Sequence, residues 1–402
     1  MALRLRGLAR FDALALTALL WFLAKFLRYA FPPLFGTLRE TFGVSNAALG
    51  ATFSALMVAY TAMQFPAGAL ADRLGSVRVI AAGALVASAA AIALVAPPSF
   101  LVLVGGAVLV GLGTGVHKTV AVRLLSTIYP ERTGRALGAL DTVGAFGGAA
   151  APAAVVAVAG APGWGALFLA SGVAGACLTV LFARRVPRRL PSGGDASPDD
   201  GDRSWRRYTA RFADRRFAAF VAATVLFSAA YNGAVAFLPL YLTDEAGLSP
   251  ALASLFYSAL FLVSVVQMGT GELSDRVGRL SVIAALLAVA AAGLAVLLVG
   301  STPLALAAGV LLFGVGGHGY RPVRGAYLVA IIPQSLTGGT LGIVRTASMA
   351  AGAASPALVG ALSDGAGFDV AFGGLFVSAC LSTALVAALL ATRDRRSGVG
   401  TA

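Results

Sequence analysis

"GALADRLGSV" occupies residues 68–77 and "GELSDRVGRL" residues 271–280, 203 positions apart in a chain of 402. Each sets glycine, aspartate and arginine between two long apolar runs. The likeness extends outward from these stretches. A shift of 203 lays Gln64, Gly68, Leu70, Asp72, Arg73, Gly75, Val79 and Ile80 on Gln267, Gly271, Leu273, Asp275, Arg276, Gly278, Val282 and Ile283. Gly111 and Gly113 fall on Gly314 and Gly316, and Pro130 on Pro333. With one more residue inserted, Gly148, Pro152, Gly163 and Phe168 fall on Gly352, Pro356, Gly367 and Phe372. A register held through both halves marks an internal duplication, hence two homologous units in the same membrane orientation.

The runs on either side of the two stretches are long enough to cross a bilayer. About twenty apolar residues at 1.5 Å each span a hydrocarbon core of about 30 Å. Only 12% of the residues are charged and the mean hydropathy is +0.87. Reading the runs between Gly, Pro and charge predicts an all-α polytopic membrane protein with twelve spans. Six lie near 13–35, 46–70, 78–97, 100–125, 136–158 and 164–183. Six more lie near 217–242, 250–273, 280–300, 303–330, 339–362 and 369–391. The first run follows a basic start but reads as a retained helix rather than a cleaved signal. The domains expected are a six-helix bundle over 1–183, a solvated linker over 184–216 rich in Pro, Gly, Ser and charge, and a second bundle over 217–402.

Charge sets the orientation. Ten arginines lie in the linker, three before the first span and three after the last, whereas the loops expected outside carry only Arg39. This asymmetry predicts a multi-pass protein of the cytoplasmic membrane with both termini cytoplasmic. It accounts for most of the +13 net charge without a nucleic-acid partner. No cofactor and no metal site are expected. "GVGGHG" (314–319) matches a dinucleotide fingerprint only formally, since it lies inside a span rather than after a strand. No P-loop occurs, and no nucleophile–base–acid set suggests an enzyme.

The paired stretches resemble the motif between helices 2 and 3, and again between helices 8 and 9, of the major facilitator superfamily. The resemblance covers the whole chain and implies two pseudo-symmetric six-helix bundles that alternate access to a central site. It implies a gating role for Gly68, Asp72, Arg73 and Gly75 and for Gly271, Asp275, Arg276 and Gly278. Gly75 and Gly278 suit a sharp turn, and Gly68 and Gly271 the close approach of a neighbouring helix. Asp72 and Asp275 suit the positive end of a helix in the other bundle, with Arg345 a second partner for Asp72. Asp141, at the cytoplasmic start of helix 5, joins this group.

Other charges fall where lipid is expected. Lys25 and Arg28 lie along helix 1 with Tyr29 beside them. Lys118 and Arg321 lie deep in helices 4 and 10, are equivalents under the shift, and neighbour His117 and His318, the two histidines of the chain. A cation facing lipid near the bilayer centre costs about 3 kcal/mol or more, so these groups are expected to face water, a counter-charge or a ligand. No Asp or Glu stands mid-span. The reading is therefore a secondary transporter of a small organic or inorganic anion. Lys25, Arg28, Lys118 and Arg321 would bind the cargo, helped by Tyr29, Tyr231 and Asn232. His117 and His318 are the candidates for proton coupling. "GVHKTVAV" loosely resembles fosmidomycin-resistance-type permeases. Two alternatives stay open: a proton-coupled exporter of lipophilic drugs, and a sensor or scaffold without flux.

Overall fold

The computed structural model describes residues 11–158, 163–190 and 211–398. They are helical throughout, with no strand among the described residues. Twelve helices follow one another: α1 Asp12–Phe42, α2 Asn46–Leu74, α3 Ser76–Ala93, α4 Phe100–Ile128, α5 Thr133–Ala157 and α6 Trp164–Arg185. Then come α7 Arg215–Asp244, α8 Pro250–Val277, α9 Arg279–Val299, α10 Pro303–Ile331, α11 Thr337–Ala366 and α12 Phe368–Gly398. All but α11 are long and apolar enough to cross a membrane.

The boundaries have local causes. Ser99, Asp214, Ser249 and Thr302 precede α4, α7, α8 and α10, and each side chain accepts a hydrogen bond from a first-turn amide, the usual role of an N-cap. The first span runs past its expected end at 35. It is interrupted at Ala30 and continues through Phe31–Phe42 to Gly43, whose φ is 62°. Pro32 and Pro33 cause the break: neither can donate to the carbonyls of Arg28 and Tyr29 one turn earlier. In α10, Pro322 likewise leaves the His318 carbonyl without its helical partner.

The chain divides into two compact units. One comprises Met1–Val44 with Ala51–Asp199, the other Ser45–Gly50 with Asp200–Ala402. Much of the expected linker lies outside the described residues; its start continues α6 and a 3₁₀ turn over Val186–Arg189.

The duplication is visible in the packing of each unit. In the first, a Cβ on Gly113 would run into Gly83 and Ala87 of α3. In the second, a Cβ on Gly316 would run into Leu286 and Ala290 of α9, the positions related to 83 and 87 by the same 203. Only a residue without a side chain lets these backbones meet. The turns repeat too. Gly75 has φ 86° and ψ 144°, Gly278 φ 101° and ψ 131°, backbone angles that favour glycine. At Gly68 and Gly271, by contrast, an added Cβ atom would meet nothing within 4 Å in its own unit; both positions are partly open on the flank of their helices.

Candidate functional site

The first unit gathers its polar residues around Trp21. On α1 the positions Trp21, Lys25 and Arg28 are spaced i, i+4, i+7 and so share one face. Lys25 Nζ lies 5.8 Å and Arg28 Cζ 5.3 Å from the centre of the Trp21 ring. From α4, Lys118 Nζ lies 6.0 Å from the same centre. His117 stacks on the indole at 5.7 Å with an interplanar angle of 4°. The Trp21 Nε1–H is buried with no hydrogen-bond partner. It rests against Gly144 of α5, where a Cβ would collide with the indole.

Arg28 is 4% exposed. Its Nε donates to the Ala24 carbonyl at 3.1 Å. The guanidinium lies 3.9 Å from the centre of the Tyr60 ring and 5.9 Å from that of Tyr29. Among the described residues no carboxylate pairs with it. Aromatic faces offset part of the cost of burying this cation, and the Nη edge retains its capacity for a forked pair of bonds to an acidic group.

Lys118 departs from expectation. It pairs with Asp141, so it has a protein counter-charge after all. The topology explains the pairing. Helices α4 and α5 run antiparallel on either side of the short turn Pro130–Arg132, which sets residues at similar distances from the turn side by side. Asp141 thus stands with the cation cluster of its own unit. His117 is 2% exposed, and its Nε2–H donates to the Thr17 carbonyl at 2.9 Å.

The second unit builds a different arrangement from the equivalent helices. Arg321 Cζ lies 4.6 Å from the centre of the Tyr231 ring. The Tyr231 hydroxyl and His318 Nε2 are 3.2 Å apart, and His318 is 3% exposed. Tyr231 stacks on Phe313 at 5.6 Å. No carboxylate pairs with Arg321 among the described residues. The positions corresponding to Asp141 fall at Val344 or Arg345, neither of them acidic. Asn232 stands apart from this group: its amide donates to the Ser228 carbonyl at 2.9 Å and abuts Gly352 of α11.

Within its own unit, Asp72 pairs with Arg123 of α4. Asp275 instead lies 3.6 Å from Arg279, because the residue corresponding to Arg123 is Ala326 and offers no charge. Arg276 pairs with Glu272 one turn earlier, and Arg73 is exposed.

Sequence reasoning missed Trp21 and Tyr60. The spacing of Trp21 from Lys25 and Arg28 was available as a clue. Tyr60 sits in an apolar run and carries none.

Comparison with known proteins places this geometry. The family model of the Major Facilitator Superfamily matches residues 17–278 and 260–401. Over 171 residues the chain is 29% identical to a probable sulfoacetate transporter of Cupriavidus necator. That match spans 42% of this chain and only 40% of the relative. Among solved structures, a bacterial homologue of the human lysosomal transporter Spinster aligns with a TM-score of 0.76 at 16% identity, over 95% of this chain and 96% of that one. A variant of the nucleoside transporter NupG gives 0.76 at 16% identity, over 95% and 99%. A variant of the peptide transporter POT gives 0.76 at 18% identity, over 95% and 94%. At such identities these structures speak for the fold alone. With the family model matched from end to end, the chain belongs to the Major Facilitator Superfamily of membrane transporters.

Proposed function

We propose that this transporter moves a small organic anion, of sulfonate or carboxylate type, by alternating access across the cytoplasmic membrane with both termini inside. The observation that carries the reading is Arg28, 4% exposed and paired with no carboxylate among the described residues. A buried cation without a counter-ion is costly. Flanking aromatic rings offset part of that cost, and an anionic ligand offsets more. Lys25 and Lys118 lie 5.8 and 6.0 Å from the centre of the same Trp21 ring that Arg28 faces, so these three cations outnumber Asp141. In its own unit Arg321 lies over Tyr231 and pairs with no carboxylate among the described residues. The partial match to a probable sulfoacetate transporter supports the same class of cargo. An exporter of lipophilic cations would want a free acid in its site, and the acid of this cluster, Asp141, is engaged by Lys118.

A ligand screen by thermal unfolding of the purified protein tests the reading. Sulfoacetate and related sulfonates at millimolar concentration are expected to raise the unfolding midpoint, while tetraphenylphosphonium leaves it unchanged. Stabilisation by the lipophilic cation with none by any organic anion refutes it.

A further inference from the structure

The ion pair between Lys118 and Asp141 is not what the fold needs. The equivalent cation of the second unit, Arg321, holds its place over Tyr231 with no acid among the described residues, and the corresponding position on α11 is valine or arginine. Packing between α1 and α5 has contacts of its own, Gly144 against Trp21 and Gly147 against the Phe22 backbone. The pair is also partly exposed: the Lys118 side chain is 23% exposed and that of Asp141 61% exposed, whereas Arg28, on the same Trp21 ring, is buried and paired with no carboxylate among the described residues.

We propose that Asp141 is an internal competitor of the cargo. Its carboxylate occupies Lys118 when the site is empty. An incoming anion takes Lys118 together with Arg28, whose charged groups lie 6.0 and 5.3 Å from the centre of the same Trp21 ring, and displaces Asp141, and the carboxylate returns to Lys118 to expel the cargo. This rests on the anion reading above and adds a release residue to it. The physical basis is that a half-exposed ion pair is weak, typically below about 1 kcal/mol. A ligand that forms charge-assisted bonds with two cations at once outcompetes a single carboxylate, yet the tethered acid is always at hand to replace it.

The sign of one substitution separates this role from a structural one. Titration calorimetry with ethane-1,2-disulfonate and with sulfoacetate, on the purified full-length protein, is the measurement. Asp141→Asn is expected to tighten binding about two- to fivefold, since the competing charge is gone. The same variant is expected to slow counterflow of labelled sulfoacetate in proteoliposomes by a similar factor. Lys118→Gln weakens binding, and adding Asp141→Asn to Lys118→Gln restores nothing, because the gain passes through the lysine. Asp141→Glu, which keeps the charge and guards against a folding defect in the amide variant, binds within about twofold of the wild type. Weaker or unchanged binding in a folded Asp141→Asn protein overturns the proposal, as does a gain that persists without Lys118. If the wild type binds neither sulfonate, the anion reading itself falls, and this inference with it.

Discussion

Replacing Arg28 by methionine should separate stability from function. In the wild type the guanidinium is 4% exposed, gives one hydrogen bond to the Ala24 carbonyl and lies 3.9 Å from the centre of the Tyr60 ring. A charged hydrogen bond is worth about 1.5–3 kcal/mol and a desolvated cation–π contact about 2 kcal/mol. Taking the cation out of water costs several kcal/mol. The terms nearly cancel. Methionine is of similar length, keeps apolar contact with Tyr60 and Trp21, and carries no desolvation cost. The unfolding midpoint of Arg28→Met, followed by tryptophan fluorescence in detergent, should therefore equal or exceed that of the wild type. Binding of an acidic cargo loses at least one charge-assisted bond, about 1.5–3 kcal/mol, which is a drop in affinity of about 10- to 150-fold. Sulfoacetate counterflow in proteoliposomes reads that loss. A variant that unfolds several degrees lower while keeping counterflow within twofold would refute the reasoning, since Arg28 would then be a structural cation.

Three further outcomes follow from the same geometry. Gly144→Ala would push a methyl group into the Trp21 indole; it should shift the tryptophan emission and weaken sulfonate binding about tenfold or more, an overpacking cost of about 1–3 kcal/mol falling on the site. Tyr60→Phe keeps the aromatic face under Arg28 and should bind sulfonate like the wild type, whereas Tyr60→Leu should lose about 1–2 kcal/mol of binding by calorimetry. Asp364 accepts from the amides of Asn46 and Ala47 at 3.0 and 2.7 Å, capping the start of α2. Asp364→Ala should cost about 1 kcal/mol and speed hydrogen exchange at those two amides, and unchanged exchange would count against the cap.

What could be read from the sequence was local or periodic. The positive φ angles at Gly75 and Gly278 followed from their place between charge and apolar run. The 203-residue repeat was legible as identities, and the packing repeats it through Gly113 and Gly316. Partners distant along the chain were not legible. Asp72 meets Arg123, 51 positions on, and Lys118 meets Asp141, 23 positions on; both pairings depend on how helices rotate against one another, which periodicity leaves open. The interruption of α1 at Ala30 was foreshadowed by Pro32 and Pro33, yet its continuation to Phe42 was not, because prolines at the start of a helical segment are tolerated as readily as they end one. Trp21 went unnoticed because an aromatic residue in an apolar span is ordinarily packing. Its significance comes from the three cations around it.

The central claim is that the cargo is negatively charged. Its most direct test is uptake by the purified protein in proteoliposomes, with labelled sulfoacetate and labelled tetraphenylphosphonium offered in parallel under the same imposed gradients. Saturable sulfoacetate uptake that is lost with Arg28→Met is expected, with no protein-dependent movement of the phosphonium. Saturable phosphonium transport with no flux of any organic anion would contradict it.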